Sequence, residues 1–172
     1  MATQTASMRK RSSQTRDFEQ KLEKLRERYA DTGATIPMRE HVSPAGGFTE
    51  PEYASVGFTE SRAREAQEIV TAVTCFDSTM RTIIDGRQCG VFKLIADRRT
   101  GRILGCRVVG ERAVDIIEVA AIAIAAGLRV DERASVPLSF PTYAGIVAQV
   151  AVSAARQLNL EVSWHAHRAE GA

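Results

Sequence analysis

The sequence has 172 residues, of which 44% are hydrophobic and 26% are charged, and it carries a net charge of +2. This composition predicts one globular domain with a tail, and the net charge is too small to indicate a polyanion as the partner of the whole molecule. The three cysteines, Cys75, Cys89 and Cys106, form no C-x-x-C pair. Their spacing excludes a disulfide framework and a redox dithiol and favours a reducing compartment.

The sequence predicts neither a secretory signal nor a membrane-spanning helix. The basic residues near the N-terminus precede no apolar run, so they do not form a secretory signal. The longest nearly apolar stretch, residues 116–128, is too short to span a bilayer and contains Glu118. We therefore expect a soluble, cytoplasmic protein.

Three N-terminal segments precede the predicted domain. Residues 1–16 are polar and basic, which predicts a disordered tail. Residues 17–33 contain a predicted amphipathic helix that ends near Gly33. Residues 34–47, with two prolines and two glycines, are predicted to be a linker. The apolar stripe of the helix consists of Phe18, Leu22, Leu25 and Tyr29.

This N-terminal helix has two interpretations. Its stripe is expected to pack on its own domain or on a partner domain. Alternatively, residues 1–28 tether the chain to nucleic acid or to an acidic membrane surface. No interleaved aromatic residues and no known binding module support the second interpretation, so a nucleic-acid partner is expected to be absent.

Residues 48–158 are predicted to form the domain, which begins with β-structure. Residues 54–57 and 69–76 have the composition of strands. Residues 91–96 and 103–109 flank a turn-rich segment, as the two strands of an antiparallel hairpin do.

Phe-Thr-Glu occurs twice, and each threonine is predicted to cap a helical turn. Thr49 begins the T-x-x-E pattern of a capping box, with Pro51 in the first turn. Thr59 precedes a predicted helix at residues 60–67, with Glu60 near its positive end.

Two longer helices complete the predicted domain. Residues 111–126 are apolar on nearly all sides, as in a helix that is covered on more than one side. Residues 142–158 carry a stripe that lets another backbone approach, formed by Gly145, Ala148, Val152 and Ala155. Strands clustered before long helices predict an α+β fold with helices packed on one face of an antiparallel sheet.

These segments resemble, in the same order, the C-terminal dimerisation domain of the pyridine nucleotide-disulfide oxidoreductases, which include dihydrolipoamide dehydrogenase and mercuric reductase. The resemblance rests on the turn FTEPE, the strand ending ASVG, the hairpin and helix of residues 91–124, and the segment PLSFPTYAGIVAQVA. It covers residues 48–158 and implies the fold and the twofold pairing of that domain. Residues 159–172 fall outside it and are predicted to be a C-terminal tail.

The family's cofactor motifs are missing from this sequence. In the family, FAD and NAD(P) bind two preceding Rossmann domains, each with a glycine-rich turn. The sequence contains no G-x-G and no dithiol. The resemblance therefore implies a dimerisation domain that meets FAD and NAD(P) only through a partner chain.

Residues 140–145 depart from the family pattern. The disulfide-reducing members carry His-Pro-Thr-x-x-Glu, in which the histidine is the acid-base and the glutamate orients it. Phe140 replaces the histidine and Gly145 the glutamate, so no catalytic residue is predicted. Tyr143 either packs in an interface or donates a hydrogen bond to a substrate or metal in a partner's active site.

Two weaker motifs do not predict binding sites. Gly105 and Gly110 have the spacing of a phosphate loop, but Glu111 follows where the lysine is required. Gly105 instead predicts a strand position that another group approaches closely, and Gly110 a strand-to-helix turn. His165 and His167 are too few ligands for a metal site.

The leading hypothesis is a non-catalytic domain that forms a twofold homodimer. Its interface is predicted to contain Ile116, Ile117, Ile124, Phe140, Pro141, Tyr143, Ala148 and Val152. The rival hypothesis is a subunit that completes a flavoenzyme whose cofactor domains lie on a separate flavoprotein chain.

Overall fold

The computed structural model describes residues 40–162 and, ahead of them, Gln20 and Lys24, which are helical and exposed. The chain divides into two units, Met1–Met38 and Arg39–Ala172, and the architecture given below belongs to the second. The predicted tail at residues 1–16, the remainder of the N-terminal helix and the histidines at 165 and 167 lie outside the described residues. The proposed tether to nucleic acid stays a prediction for the same reason.

The described part of the second unit is a five-stranded sheet with five helices. In chain order the elements are β1 (Ala45–Gly47), β2 (Tyr53–Gly57), α1 (Glu60–Ala66), β3 (Ile69–Cys75), α2 (Met80–Ile84), β4 (Gly90–Asp97), β5 (Ile103–Gly110), α3 (Ala113–Ala125), α4 (Val130–Ser135) and α5 (Gly145–Gln157). The strands lie in the order β1-β2-β5-β4-β3, and each neighbouring pair is antiparallel. The predicted α+β class and antiparallel sheet are confirmed.

The alternation of side chains along the strands gives the sheet one buried face. Val56 pairs with Cys106 and Cys106 with Leu94, so these side chains point to the same side of three adjacent strands. All three are buried in the main core, together with Ile116 of α3 and Val150 of α5. The two long helices therefore cover this face, as the sequence predicted.

Helix α1 lies on the opposite face of the sheet. Ile95 is the neighbour of Leu94 along β4 and points the other way, where it packs with Ala63 of α1 and with Leu104. Lys93, on the same side as Ile95, forms an ion pair with Glu60 of α1. One short helix thus covers one end of a face that the long helices leave open.

The predicted boundaries of the domain are too narrow at both ends. Residues 45–47, assigned to the linker, form β1 and pair with β2 in the register Ala45 to Ser55. Leu160 and Val162, assigned to the tail, pack against the main core. The linker prediction failed because β1 has only three residues and two are glycines, so its formation depends on the neighbouring strand rather than on its own composition.

The two predicted helix caps have different outcomes. Thr59 caps α1, because its hydroxyl accepts a hydrogen bond from the backbone N–H of Arg62 at 3.3 Å. The prediction for Thr49 is wrong: no helix follows it, and its hydroxyl donates to the carbonyl of Pro51 at 2.7 Å. The Glu50–Pro51 peptide bond is cis.

Both long helices begin later than the sequence predicted. Arg112 has a φ of 56°, in the left-handed region, so α3 starts at Ala113 and not at Glu111. Residues 142–144 form a turn before α5, in which the N–H of Gly145 donates to the carbonyl of Thr142 at 3.2 Å. The short helices α2 and α4 were not predicted.

Candidate interaction site

Tyr143 joins three segments that are far apart in the sequence. Its hydroxyl donates a hydrogen bond of 2.9 Å to Asp85 Oδ2 at the end of α2. The guanidinium of Arg112, at the start of α3, lies 5.8 Å from the centre of the Tyr143 ring. Asp85 also accepts from Arg81 Nε at 2.9 Å. The side chain of Tyr143 therefore holds the loop at residues 136–144 against α2 and α3.

Hydrogen bonds set the protonation states of this cluster. The hydrogen bond from Tyr143 lowers the pKa of Asp85 by more than burial raises it, and Arg81 lowers this pKa further. Burial, and then the hydrogen bond to Asp85, raises the pKa of Tyr143. A protonated phenol therefore donates to an ionised carboxylate at neutral pH. Because that hydrogen is already used, the arrangement favours the packing role predicted for Tyr143 over its substrate-facing role.

Neither of the two substituted family positions supplies a proton carrier. Phe140 is 81% exposed and carries only a benzyl ring. A side chain built at Gly145 would meet no atom of the chain within 4 Å at its Cβ position. His41, the one histidine of the described residues, lies elsewhere, with its ring centre 6.5 Å from that of Phe58. The described part of this site has no acid-base pair of the family type.

An exposed apolar face lies beside the Tyr143 cluster. We call it the α2 face. Met80, Val136, Leu138 and Phe140 line one groove, and the exposed Ile83 and Ile84 are grouped with them because they follow Met80 by three and four residues along α2. Ile84 is 60% exposed and Phe140 is 81% exposed. Exposed apolar side chains gathered in one place are typical of protein interaction sites, whereas single ones are common on any surface.

A groove of about 220 Å³ crosses the α2 face. Met80, Leu138 and Phe140 lie along it, and Ala148 and Gly145 of α5 belong to its lining. Most of the lining is apolar, but Gln149 and Thr79 also belong to it and are joined by a hydrogen bond of 3.3 Å. The groove has the mixed character expected of an interface with an apolar centre and polar groups near it.

A second cleft of about 280 Å³ lies next to Tyr143 and is lined in part by Arg81 and Arg112. Each arginine has an acidic neighbour: Arg81 pairs with Asp85 at 2.9 Å, and Arg112 lies 3.8 Å from Asp115. The positive charges of this cleft are therefore balanced from within the chain. It shows no preference for an anionic ligand.

The structure divides the predicted interface residues into three groups. Ile116 and Ile117 are each 1% exposed in the single chain, so their assignment to a contact surface is wrong and they belong to the chain's own core. Ile124 and Val152 pack partly against that core. The remaining four, Phe140, Pro141, Tyr143 and Ala148, lie at the groove or at the cluster beside it.

Sequence reasoning missed the contribution of α2 to this site. Met80, Ile83 and Ile84 recur at positions i, i+3 and i+4, which is a helical pattern. The element has only five residues, and a pattern that short is not distinctive. The sequence does not show that the loop carrying Leu138 and Phe140 leaves the apolar side chains of α2 exposed.

The cysteines and the acidic residues show no cofactor centre in the described part of the chain. No group of three or more metal-ligating side chains occurs among residues 40–162. Burial raises the pKa of Cys106 to about 12, so its thiol is protonated at neutral pH and is a poor nucleophile or ligand. Cys75 and Cys89 are free and exposed. The prediction that the chain binds no cofactor itself stays a prediction.

A helix that crosses a bilayer needs about 20 consecutive, mostly apolar residues. None of the helices in the described part of the chain combines such a length with that apolar character.

Curated relatives match more than half of the chain. Mercuric reductase from Lysinibacillus sphaericus is 41% identical over 92 residues, which are 53% of this chain and 17% of that protein. Dihydrolipoyl dehydrogenase from Haloferax volcanii is 32% identical over 126 residues, or 73% of this chain and 26% of that one. The chain thus spans about a sixth to a quarter of the length of these relatives.

Solved structures and a family model agree with these matches. LpdA from Mycobacterium tuberculosis superposes with a TM-score of 0.66 at 25% identity, over 73% of this chain and 28% of that one. An NAD-dependent persulfide reductase from A. fulgidus shares the fold, with a TM-score of 0.64 at 23% identity, over 76% of this chain and 25% of that one. The model of the pyridine nucleotide-disulphide oxidoreductase dimerisation domain matches residues 43–151. The chain therefore belongs to the pyridine nucleotide-disulphide oxidoreductase family and carries its dimerisation domain.

Proposed function

We propose that this chain is a non-catalytic interaction domain that forms a twofold homodimer through the α2 face. One observation carries the proposal: a face of six large apolar side chains is exposed, and it includes Phe140 at 81% and Ile84 at 60%. Leaving such a face in water is unfavourable by roughly 25 cal/mol for each Å² of apolar surface. The family's dimerisation domain gives a second copy as the natural partner.

The surroundings of the α2 face suit a twofold contact. In such a contact the same patch is used on both protomers, so the patch must be complementary to itself. The side chains of the α2 face project from α2 and from the loop at residues 136–144. A groove lies between α2 and α5. Arg81 also lines the groove, and its charge is balanced by Asp85 at 2.9 Å.

We further propose that the chain binds neither FAD nor NAD(P) by itself and works in the cytoplasm. The missing G-x-G turn supports the first statement, since the family holds both cofactors with such turns. The three free cysteines support the second, because thiols persist in a reducing compartment.

The test is the solution mass of the full chain and of two aspartate variants, measured by light scattering on a sizing column. The chain is expected to be a dimer. Ile84→Asp places a charge on the α2 face and is expected to give a folded monomer. Ile122→Asp is the matched control: Ile122 is also an exposed isoleucine, at 68%, but it lies on α3 and does not line the groove, and its variant is expected to stay dimeric. A monomeric unsubstituted chain would contradict the proposal.

A second candidate function is a subunit of a split flavoenzyme. The observation that favours it is the kind of relative matched, which includes a mercuric reductase and a dihydrolipoyl dehydrogenase. A separate flavoprotein chain would then supply the cofactor domains. The exposed ring of Phe140 would lie toward that chain's active site.

Absorbance in the visible range separates the two candidates. A split enzyme is expected to co-purify from its native host as a yellow complex whose flavin is released by denaturation. Recovery of a colourless homodimer from gentle lysates, with no flavin at any step, would contradict the second candidate and leave the first intact.

A further inference from the structure

We infer that the ring of Phe140 from each protomer fills the α2-face groove of the other, beside Gly145. This inference rests on the proposed twofold homodimer and goes beyond it, because it assigns one side chain as the anchor and one glycine as the feature that makes room for it. The partner copy completes the groove.

Phe140 has the properties of an anchor. Its side chain is 81% exposed, although removing a phenylalanine ring from water is strongly favourable. It lies in the loop that Tyr143 holds in place through Asp85, so the position from which the ring projects is fixed. An aromatic ring held on an ordered segment is the usual composition of an interface hot spot, since little side-chain freedom is lost on binding.

The groove has the size and chemistry to receive a benzyl ring. Its volume is about 220 Å³, and an apolar protein cavity of about 150 Å³ is large enough to hold benzene. Met80, Leu138 and Ala148 supply apolar atoms along it. Apart from its chain neighbours and its own helix backbone, no atom lies within 4 Å of a Cβ placed on Gly145, so this part of the lining is open.

Symmetry makes the pairing reciprocal. Phe140 itself lines the groove, beside Leu138 and Pro141. In a twofold contact, any contact that Phe140 of one copy makes with the groove of the other copy is made a second time in the opposite direction. Two rings are then buried for each dimer by a single kind of contact.

Two substitutions test the anchor and the groove separately in the full chain. Phe140→Ala removes the ring, and Gly145→Leu fills the groove from within its own protomer. Each is expected to raise the dimer dissociation constant by more than about tenfold, as hot-spot truncations do. Phe48→Ala is the matched control, because Phe48 is 84% exposed but lies outside the α2 face. Thermal unfolding of each variant verifies that it folds.

A photochemical cross-link provides a measurement that does not depend on variant stability. A benzophenone side chain at position 140 is expected to join the two protomers, with the adduct on Met80 or Ala148 of the other copy. Mixed light- and heavy-isotope chains distinguish this product from a cross-link within one protomer.

The outcomes separate the two proposals. If the unsubstituted chain is a dimer that Ile84→Asp breaks, while Phe140→Ala and Gly145→Leu leave its affinity unchanged, this inference is wrong and the homodimer stands. A cross-link confined to one protomer would also contradict it. If the unsubstituted chain is a monomer at high concentration, both proposals fail.

Discussion

Glu52 Oε2 accepts a hydrogen bond of 3.2 Å from the backbone N–H of Val114, which lies 62 residues later in the first turn of α3. Arg112, at the N-cap position of that helix, makes no side-chain capping bond. The carboxylate of Glu52 therefore takes over the role of a local cap and brings a negative charge to the positive end of the helix. The backbone carbonyl of Glu52 also accepts from Gly110, at 2.9 Å.

This relationship predicts different effects for two neighbouring glutamates. Glu52→Ala is expected to lower the free energy of unfolding by about 1 kcal/mol, the usual cost of losing a cap. Glu50→Ala is the control, because its side chain is 85% exposed and only reaches Arg87 at 3.6 Å. Urea denaturation of both variants measures the difference. Equal effects of the two substitutions would show that Glu52 is not a cap.

A second prediction concerns the close approach of two chain segments at Gly105. The N–H of Phe58 donates to the carbonyl of Leu104 at 2.9 Å, which brings the backbone of residue 58 directly over Gly105. A methyl group on Gly105 would overlap the carbonyl oxygen of Phe58 and lie 2.9 Å from the backbone nitrogen of Phe58. Backbone atoms cannot move aside as a flexible side chain can.

Gly105→Ala is therefore expected to lower the free energy of unfolding by about 2–3 kcal/mol, as overpacking of a core does. Glu118→Ala serves as the control, because Glu118 is exposed on α3. Denaturant midpoints of the two variants give the comparison. A Gly105→Ala protein as stable as the control would contradict the close approach seen in the structure.

The hairpin and the glycine contact show what the sequence could predict. The turn after β4 is a local structure, in which Asp97 Oδ1 accepts from the N–H groups of Arg99 and Thr100, both at 2.7 Å. Its residues are adjacent in the chain, so composition alone indicates it. The prediction that another group closely approaches Gly105 is confirmed as well, because a glycine inside a strand often marks a place where a second backbone comes near.

The capping role of Glu52 and the burial of Ile117 could not be predicted in the same way. Glu52 acts on a helix that is distant in the sequence, and its own neighbours suggested a local capping box instead. Ile117 lies in a helix that is apolar on several sides, and such a pattern does not distinguish the chain's own core from a partner's surface. Both failures concern contacts that only the assembled fold determines.

The hydrogen bond from Tyr143 to Asp85 predicts a pH-dependent contribution to stability. The folded-state pKa of Asp85 is lowered, so its contribution is present above the unfolded pKa, near pH 4, and is lost as the pH falls through the folded value. The folded-state pKa of Tyr143 is raised. Its contribution is present below the unfolded pKa, near pH 10, and is lost as the pH rises further.

The stability difference between the unsubstituted chain and Tyr143→Phe is therefore expected to form a plateau around neutral pH and to shrink on both sides. Urea denaturation across the pH range measures it. Thr142→Ala is a nearby control, since its hydroxyl donates only to the Ser139 carbonyl at 3.0 Å. A difference that did not change with pH would show that the phenol contributes by packing alone.

Unlike Asp85, which is hydrogen-bonded to Tyr143, Arg133 carries a charge that is buried without a partner in the described part of the chain. Its residue is 2% exposed, and neither Nη1 nor Nη2 has a hydrogen-bond partner in the structure described for residues 40–162. Burial accordingly lowers the pKa of Arg133. An unpaired buried polar group costs about 1–3 kcal/mol, and a charged one costs more.

Replacing Arg133 by an apolar side chain of similar length should remove that cost while its packing is kept. Arg133→Met is expected to raise the free energy of unfolding by about 1–3 kcal/mol. Arg129→Met is the control: Arg129 is 41% exposed at its side chain and pairs with Asp131 at 3.0 Å, so its replacement should bring no gain. Equilibrium denaturation of both variants at one pH decides the matter. A loss of stability in Arg133→Met would contradict the cost assigned here to the unpaired guanidinium.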